Sequence, residues 1–175
     1  MPEQITIRPL TEDDWQAFSE LRLAALKECP GFFGKSYEEE KNNTQVSWQE
    51  WFEQEGKCIF GIFDYEKLMG IQGIATYNMD STAGMIWGSY ISPQYRGHSY
   101  SPILYKACVD WGIKYLPWKK IVVSHREDNE ASKKANQKFG FVFTYRESKT
   151  WPDGKTIDQL WYELELNKLR NTRTP

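Results

Sequence analysis

Residues 92–105 read SPQYRGHSYSPILY, and the segments on either side differ in character. Before the stretch, AGMIWGSYI (83–91) is an apolar run with the composition of a strand; after it, apolar residues recur at helical spacing as far as Leu116. A strand that passes through an Arg-Gly loop into a helix start offers free N–H groups and the positive end of a dipole, which suits an anion. Ser101 and Pro102 read as N-cap and first helical residue, because proline there forgoes only a donor that has no helical partner. Arg96 supplies a forked cation, and Gly97 lets a ligand approach the backbone. On local grounds alone such a loop is more commonly a plain turn before a capped helix.

Downstream of the loop, the helix places Ile103, Leu104, Ala107, Cys108 and Trp111 on one face and stops before Pro117. KIVVS (120–124) has the apolar character of a central strand. Asp128-Asn129 caps a helix over ASKKANQKF, with Ala131, Ala135 and Phe139 inward and Gly140 as its stop. FVFTYRESKTW and TIDQLWYELEL alternate around the turn Trp151-Pro152-Asp153-Gly154-Lys155, and NKLRNTRTP is left as a polar, frayed tail.

Upstream, CIFGIFD and GIQGIATYNM flank Tyr65-Glu66-Lys67 as an antiparallel hairpin. ITIRPL (5–10) alternates like a short strand, and Thr11 with Asp14 caps a helix whose stripe is Trp15, Phe18, Leu21 and Ala25. GFFGKSYEEEKNN is a loop entering a short helix, and Ser47 caps one more turn carrying Trp48, Trp51 and Phe52. The resulting order, β-α-α-β-β-β-α-β-α-β-β, predicts an α/β (α+β) protein: one mixed, mostly antiparallel sheet with helices on both faces. A single domain over 1–166 with a tail over 167–175 is expected.

Composition excludes several classes. The net charge of −2 and pI near 5.8 provide no field that would draw the protein to nucleic acid or an anionic membrane. The N-terminus lacks a basic region followed by an apolar core, and no stretch has the 18 consecutive apolar residues a spanning helix needs. Cys29, Cys58 and Cys108 are too far apart for a metal knuckle or a redox pair, so reduced thiols and a cytoplasmic location are expected. Neither His98 nor His125 has the spaced partners of a metal site. Aromatic residues make up 15 % of the chain, which is compatible with core filling and with an aromatic-lined cleft.

The succession P-x-Y-R-G, helix, buried strand, N-x-A-S, and G-F before a terminal hairpin resembles the GNAT superfamily of acyl-CoA-dependent N-acetyltransferases, from about Ile5 to Leu166. The resemblance implies acetyl-CoA as cosubstrate, with its pyrophosphate on the amides of Arg96, Gly97, His98, Ser99, Tyr100 and Ser101. Two small positions of that loop, usually Gly or Ala, are serines here, and Pro102 removes one further N–H. The resemblance also implies a central splay between residues 121–124 and 86–91. There Ser89, Tyr90 and Ile91 would hold the pantetheine arm by their backbone and polarise the thioester carbonyl, while Asn129 and Ser132 line the arm from the next helix. Relatives often carry a Tyr proton donor seven residues after the Asn; here that position is Asn136, which either only hydrogen-bonds the sulfur or leaves the task to another acid or water.

An amine acceptor must lose a proton before it attacks. Glu38, Glu39 and Glu40 lie on the segment that covers the acceptor cleft in this superfamily, and each can be a base or part of a solvated acidic face. His125, at the C-terminal end of a buried strand, is the other base candidate, and Tyr90 and Trp87 fit either the cleft or the core. The activity implied is acetyl transfer to a small-molecule or peptide amine in a ternary complex, by a monomer or homodimer. The alternatives are a non-catalytic acyl-CoA-binding domain and a plain interaction module.

Overall fold

The computed structural model describes residues 4–171. The elements run β1 (Ile5–Pro9), α1 (Trp15–Glu28), α2 (Tyr37–Glu40), α3 (Gln45–Gln49), β2 (Lys57–Asp64), β3 (Lys67–Tyr77), β4 (Asp80–Ile91), α4 (Tyr100–Tyr115), β5 (Lys120–Arg126), α5 (Glu130–Phe139), β6 (Val142–Thr150), β7 (Thr156–Glu165) and α6 (Leu166–Asn171). They form one seven-stranded sheet in the order β1-β2-β3-β4-β5-β7-β6, antiparallel throughout except for β4 and β5. The expected mixed sheet is therefore observed, and alternation along each strand divides the core between its two faces. Ile62, Met69, Ile74, Ile86, Leu104, Cys108 and Ile121 pack on the α4 side. Phe18, Ala25, Trp48, Ile59, Phe63 and Ile71 pack on the α1 and α3 side.

The joint between β4 and β5 positions everything that follows. The two strands pair only from Ala83 to Met85 against Lys120 to Val122, after which each continues without the other. The divergence begins at a bulge. Trp87 faces Gly73 and Tyr90 faces Ile71, so β4 carries one residue more than β3 across that interval. Gly88 lies in the bulge at φ +65°, a conformation that a residue with a Cβ adopts only with strain.

Several local expectations shift. Helix α4 begins at Tyr100 with Ser99 as its N-cap, so Ser101 and Pro102 are its second and third residues. The third N–H of a helix also has no internal partner, and proline is tolerated there for the same reason as at the first position. The inward stripe of α4 is Leu104, Tyr105, Cys108, Val109 and Gly112, which leaves Ile103 exposed. Thr44, whose hydroxyl accepts from Ser47 N, caps α3 in place of Ser47. On α5, Ala131 is exposed and the buried residue is Asn136. The tail expected to fray instead forms α6 as far as Asn171. Leu166 is fully buried, and Arg170 donates to the carbonyls of Trp118 and Leu116 at 2.6 and 2.8 Å. Residues 172–175 of that tail lie outside the described residues. Among those described, no helix is long and apolar enough to cross a membrane.

Candidate active site

Where β4 and β5 part, a cavity of about 410 Å³ opens on the α4–α5 side. The edges of Ile86–Ile91 and Val123–His125 border it, and α4 contributes Ser101, Leu104 and Tyr105 while α5 contributes Ala131, Ser132, Ala135 and Asn136. A second cavity, of about 600 Å³, lies toward α1, α3 and the β6–β7 hairpin. The two share Phe32, Phe33, Ile86, Trp87, Gly88 and Ser124, so the gap in the sheet opens into both.

A buried polar cluster forms the floor of the first cavity. Tyr105 Oη donates to Asn136 Oδ1 at 2.5 Å, and Gln72 Nε2 donates to Ser89 Oγ at 2.7 Å. Three buried atoms in residues that line this cavity have no partner among the described residues: Gln72 Oε1, Asn136 Nδ2 and His125 Nε2. Buried polar atoms are rarely left so. Burial drives the Tyr105 hydroxyl well above the ordinary phenol range, so it holds its proton.

His125 is assigned a tautomer by its neighbour. Its Nδ1 lies 2.8 Å from the Arg126 carbonyl oxygen, which can only accept, so Nδ1 carries the hydrogen and Nε2 of the neutral ring is a free lone pair. The ring stacks on Tyr162 at 5.2 Å, and burial holds its pKa below the usual imidazole value. Asn129 caps α5 by accepting from Ser132 N at 3.1 Å, which occupies its oxygen.

The loop between β4 and α4 keeps an open cradle by different means than glycine repetition. Gly97 sits at φ +86° with nothing within 4 Å of where a Cβ would be, and Ser99 takes the left-handed conformation at φ 62°. The Ser99 side chain makes no cap hydrogen bond at the start of the 16-residue helix α4. His98 stacks on Tyr100 at 5.6 Å. Arg96 differs from expectation. Its Nε donates to the Ile91 carbonyl at 2.9 Å and its Nη1 pairs with Glu28 at 2.8 Å, so the guanidinium ties the loop to β4 and α1. Tyr90 also donates to Glu28, and that bond followed by Arg96 keeps the Glu28 carboxyl below its usual pKa.

The acidic segment does not enter either cavity. Glu39 closes a capping box with Ser36 and pairs with Lys35, and Glu38 pairs with Lys41 on the exposed side of α2. Glu40 is buried against Arg22, with two contacts of 2.9 Å. None of the three lines the gap, because each carboxylate is engaged elsewhere, Glu39 by the cap, Glu38 by Lys41 and Glu40 by Arg22. Cys29 does line the first cavity, but burial raises its pKa, as it raises that of Cys58 to about 12. Neither thiol is activated as a nucleophile. No cluster of three metal-ligating side chains occurs among the described residues.

A family model described as an acetyltransferase (GNAT) domain matches residues 4–142. The chain belongs to the GNAT acetyltransferase family. No curated protein sequence matches it, but solved structures share the GNAT fold over nearly the whole length. An acetyltransferase of the GNAT family from Streptococcus pneumoniae is 15 % identical, covering 93 % of this chain and 99 % of its own, with a TM-score of 0.80. The yncA protein of Salmonella typhimurium, solved with its cofactor acetyl-CoA, is 16 % identical over 93 % of this chain and 94 % of its own, with a TM-score of 0.78. Spermidine N-acetyltransferase from Vibrio cholerae, in complex with CoA and spermine, is 17 % identical over 96 % and 99 %, with a TM-score of 0.78.

Sequence reasoning missed two parts of this GNAT site. Tyr105 lies on the buried stripe of α4, where an aromatic residue is ordinarily core, and only its proximity to Asn136 gives its hydroxyl a place in the cavity. The second cavity draws Trp51, Trp87 and Trp151 from three separate segments, so no local motif signals it.

Proposed function

We propose that this GNAT chain is an acetyl-CoA-dependent N-acetyltransferase in which a primary amine attacks the thioester directly in a ternary complex. The observation that carries this is the meeting of the two cavities at the open edges of β4 and β5. One cavity suits the cosubstrate and the other the acceptor, and the gap between them is where the two can touch.

The residues present fit acetyl-CoA. The start of α4, where the Ser99 side chain makes no cap hydrogen bond, with Gly97 leaving room, suits a pyrophosphate. The free edge of β4 at Ser89, Tyr90 and Ile91, with Asn129 and Ser132 opposite, suits the amides of pantetheine by strand-like pairing. The cosubstrate supplies an activated acyl thioester. Backbone N–H groups of that edge polarise its carbonyl. His125 Nε2, neutral and unpartnered, takes the amine proton directly or through one water. Tyr105, whose hydroxyl would turn from Asn136 Oδ1 to reach the sulfur, would protonate the departing thiolate in place of the hydroxyl that position 136 lacks. The protonated state of Cys29 supports direct attack over an acyl-enzyme.

The vibrio enzyme named for spermidine and another relative named for the alanine of ribosomal protein S5 indicate how widely acceptors range on this fold, and a small-molecule or peptide amine is proposed here. The protein is proposed to act as one domain, in the cytoplasm, as a monomer or homodimer. Calorimetric titration with acetyl-CoA followed by thiol-release assays over a panel of primary amines tests the proposal. Heat of binding and amine-dependent thiol release are expected. Absence of heat and of any thermal shift at millimolar acetyl-CoA would refute it, and binding without thiol release across the panel would indicate a coenzyme A-binding domain instead.

A further inference from the structure

The second cavity has walls whose charge narrows the acceptor. Its volume of about 600 Å³ is that of a small-molecule site, and three tryptophans, Trp51, Trp87 and Trp151, line it. An aromatic cage of this kind would ordinarily suit a cation. Here the protein's own cations already face the rings. Lys57 Nζ lies 5.0 Å from the centre of the Trp51 ring and 5.3 Å from that of Trp87, and Lys149 Nζ lies 4.5 Å from that of Trp151.

The other charges on the walls are balanced or few. Arg22 is paired with Glu40, and Lys35 with Glu39. Glu50 is the sole acid among the lining residues and is exposed. Lys57 has only the Gln54 side-chain oxygen, at 3.4 Å, and neither Lys57 nor Lys149 has a carboxylate ion-pair partner among the described residues. The two ammonium groups come from opposite halves of the divided sheet, one from the start of β2 and one from the end of β6. Burial lowers the pKa of each, with no charged group opposing it at Lys57 and only the more distant Glu147, outside ion-pair range, opposing it at Lys149.

We infer that this cavity selects an acceptor that carries a carboxylate beside its amine and a flat apolar body, namely an α-amino acid with an aromatic side chain. The inference rests on the acceptor assignment made above. The carboxylate meets Lys57 and Lys149, the flat group lies among the tryptophans, and the amine is left toward Gly88 and the gap. A polycation is disfavoured, because it would bring like charge against two unpaired ammonium groups.

The test uses the full chain saturated with CoA and two probes of matched shape that differ in charge, N-acetyl-L-tryptophan and N-acetyl-L-tryptophanamide. Calorimetry should show the acid binding at least tenfold more tightly, with that ratio collapsing toward one in Lys57→Met and shrinking in Lys149→Met and at high salt. Spermine should give no saturable heat. Equal binding of acid and amide, no binding of either at millimolar concentration, tighter binding of spermine, or a ratio that survives both substitutions would each overturn the inference. CoA binding, measured first in the same preparations, separates the two levels. Its presence without an acid preference refutes the acceptor class alone, whereas its absence refutes the transferase reading.

Discussion

Glu40 is where the structure most directly reverses an expectation from sequence, and the reversal has a measurable consequence. Its carboxylate holds the Arg22 guanidinium at 2.9 Å through two contacts, and the two residues are 4 % and 5 % exposed. Glu40→Ala would leave a buried cation facing Phe33 and Trp51 with no counter-charge, a loss of about 3–5 kcal/mol. A chain of this size loses roughly 2–4 °C of melting temperature per kcal/mol, so the melt should fall by roughly 6–20 °C. The double variant Arg22→Met, Glu40→Leu removes both charges and should recover most of that loss, because a well-packed apolar pair is often as stable as a buried ion pair. Thermal melts and urea titrations of the wild type and the single and double variants measure this, and a constant urea slope would confirm that only stability changed. The turnover of folded Glu40→Ala at 20 °C should stay within about tenfold of wild type, since general-base loss would cost about a hundredfold or more. A melt unchanged by Glu40→Ala together with such a collapse in kcat would refute this reasoning and return Glu40 to the role of base.

Three further outcomes are expected. Tyr105→Phe should lower kcat by about a hundredfold or more while leaving acetyl-CoA affinity within about threefold, read by thiol release and by calorimetry; an unchanged kcat would remove this hydroxyl from the chemistry. Burial holds the His125 pKa below 6.5, so under 6.5 the unfolded chain binds more protons than the folded one. The stability contributed above pH 6.5 is then lost as pH falls toward the folded value, and His125→Gln should flatten the decline in melting temperature between pH 7 and pH 5. A Cβ at Gly84 would stand 2.5 Å from the Trp118 ring, which is 1 % exposed and has no room to retreat. Gly84→Ala should therefore destabilise by about 1–3 kcal/mol in a thermal melt, and an unshifted melt would mean that this core yields more readily than it is packed to do.

The elements were legible where one period or one punctuating residue dominated. The strand over TIDQLWYELEL, the stripe of α1 and the Asn129 cap each depend on neighbours in sequence, and each is found in place, although burial along the strand is continuous from Gln159 to Tyr162 where alternation was read. Inward and outward faces were read less well. On α5 the buried position is Asn136, a polar residue that composition would send to the surface, because its partner Tyr105 is 31 residues away on α4. The start of α4 was misplaced by two residues because Ser101 before Pro102 satisfies the capping rule that the sequence offers, while Ser99 is followed by Tyr100 and its left-handed backbone leaves no mark in sequence. The acidic run was left open between two roles for a similar reason. Whether a carboxylate is a base, a cap or half of a buried ion pair depends on what faces it, and Arg22 lies 18 residues from Glu40.

The loop between β4 and α4 gains a mechanical role from its contacts. Arg96 binds the last carbonyl of β4, and with Tyr90 it also binds Glu28 at the end of α1, so the loop, the free strand edge and an acceptor-side helix are held together. The side chain that sequence suggested would grip an anion at the α4 start is thereby engaged with β4 and α1 instead. The serines at 99 and 101 do not close the cradle. Ser99 adopts the left-handed backbone that a glycine would have taken, at a cost of about 1–2 kcal/mol for a residue with a Cβ, and Ser101 lines the cavity inside the first turn of the helix. A change at Glu28 would therefore be felt at both ends of the site, since the same carboxylate steadies the strand edge that borders the gap and the loop that precedes α4.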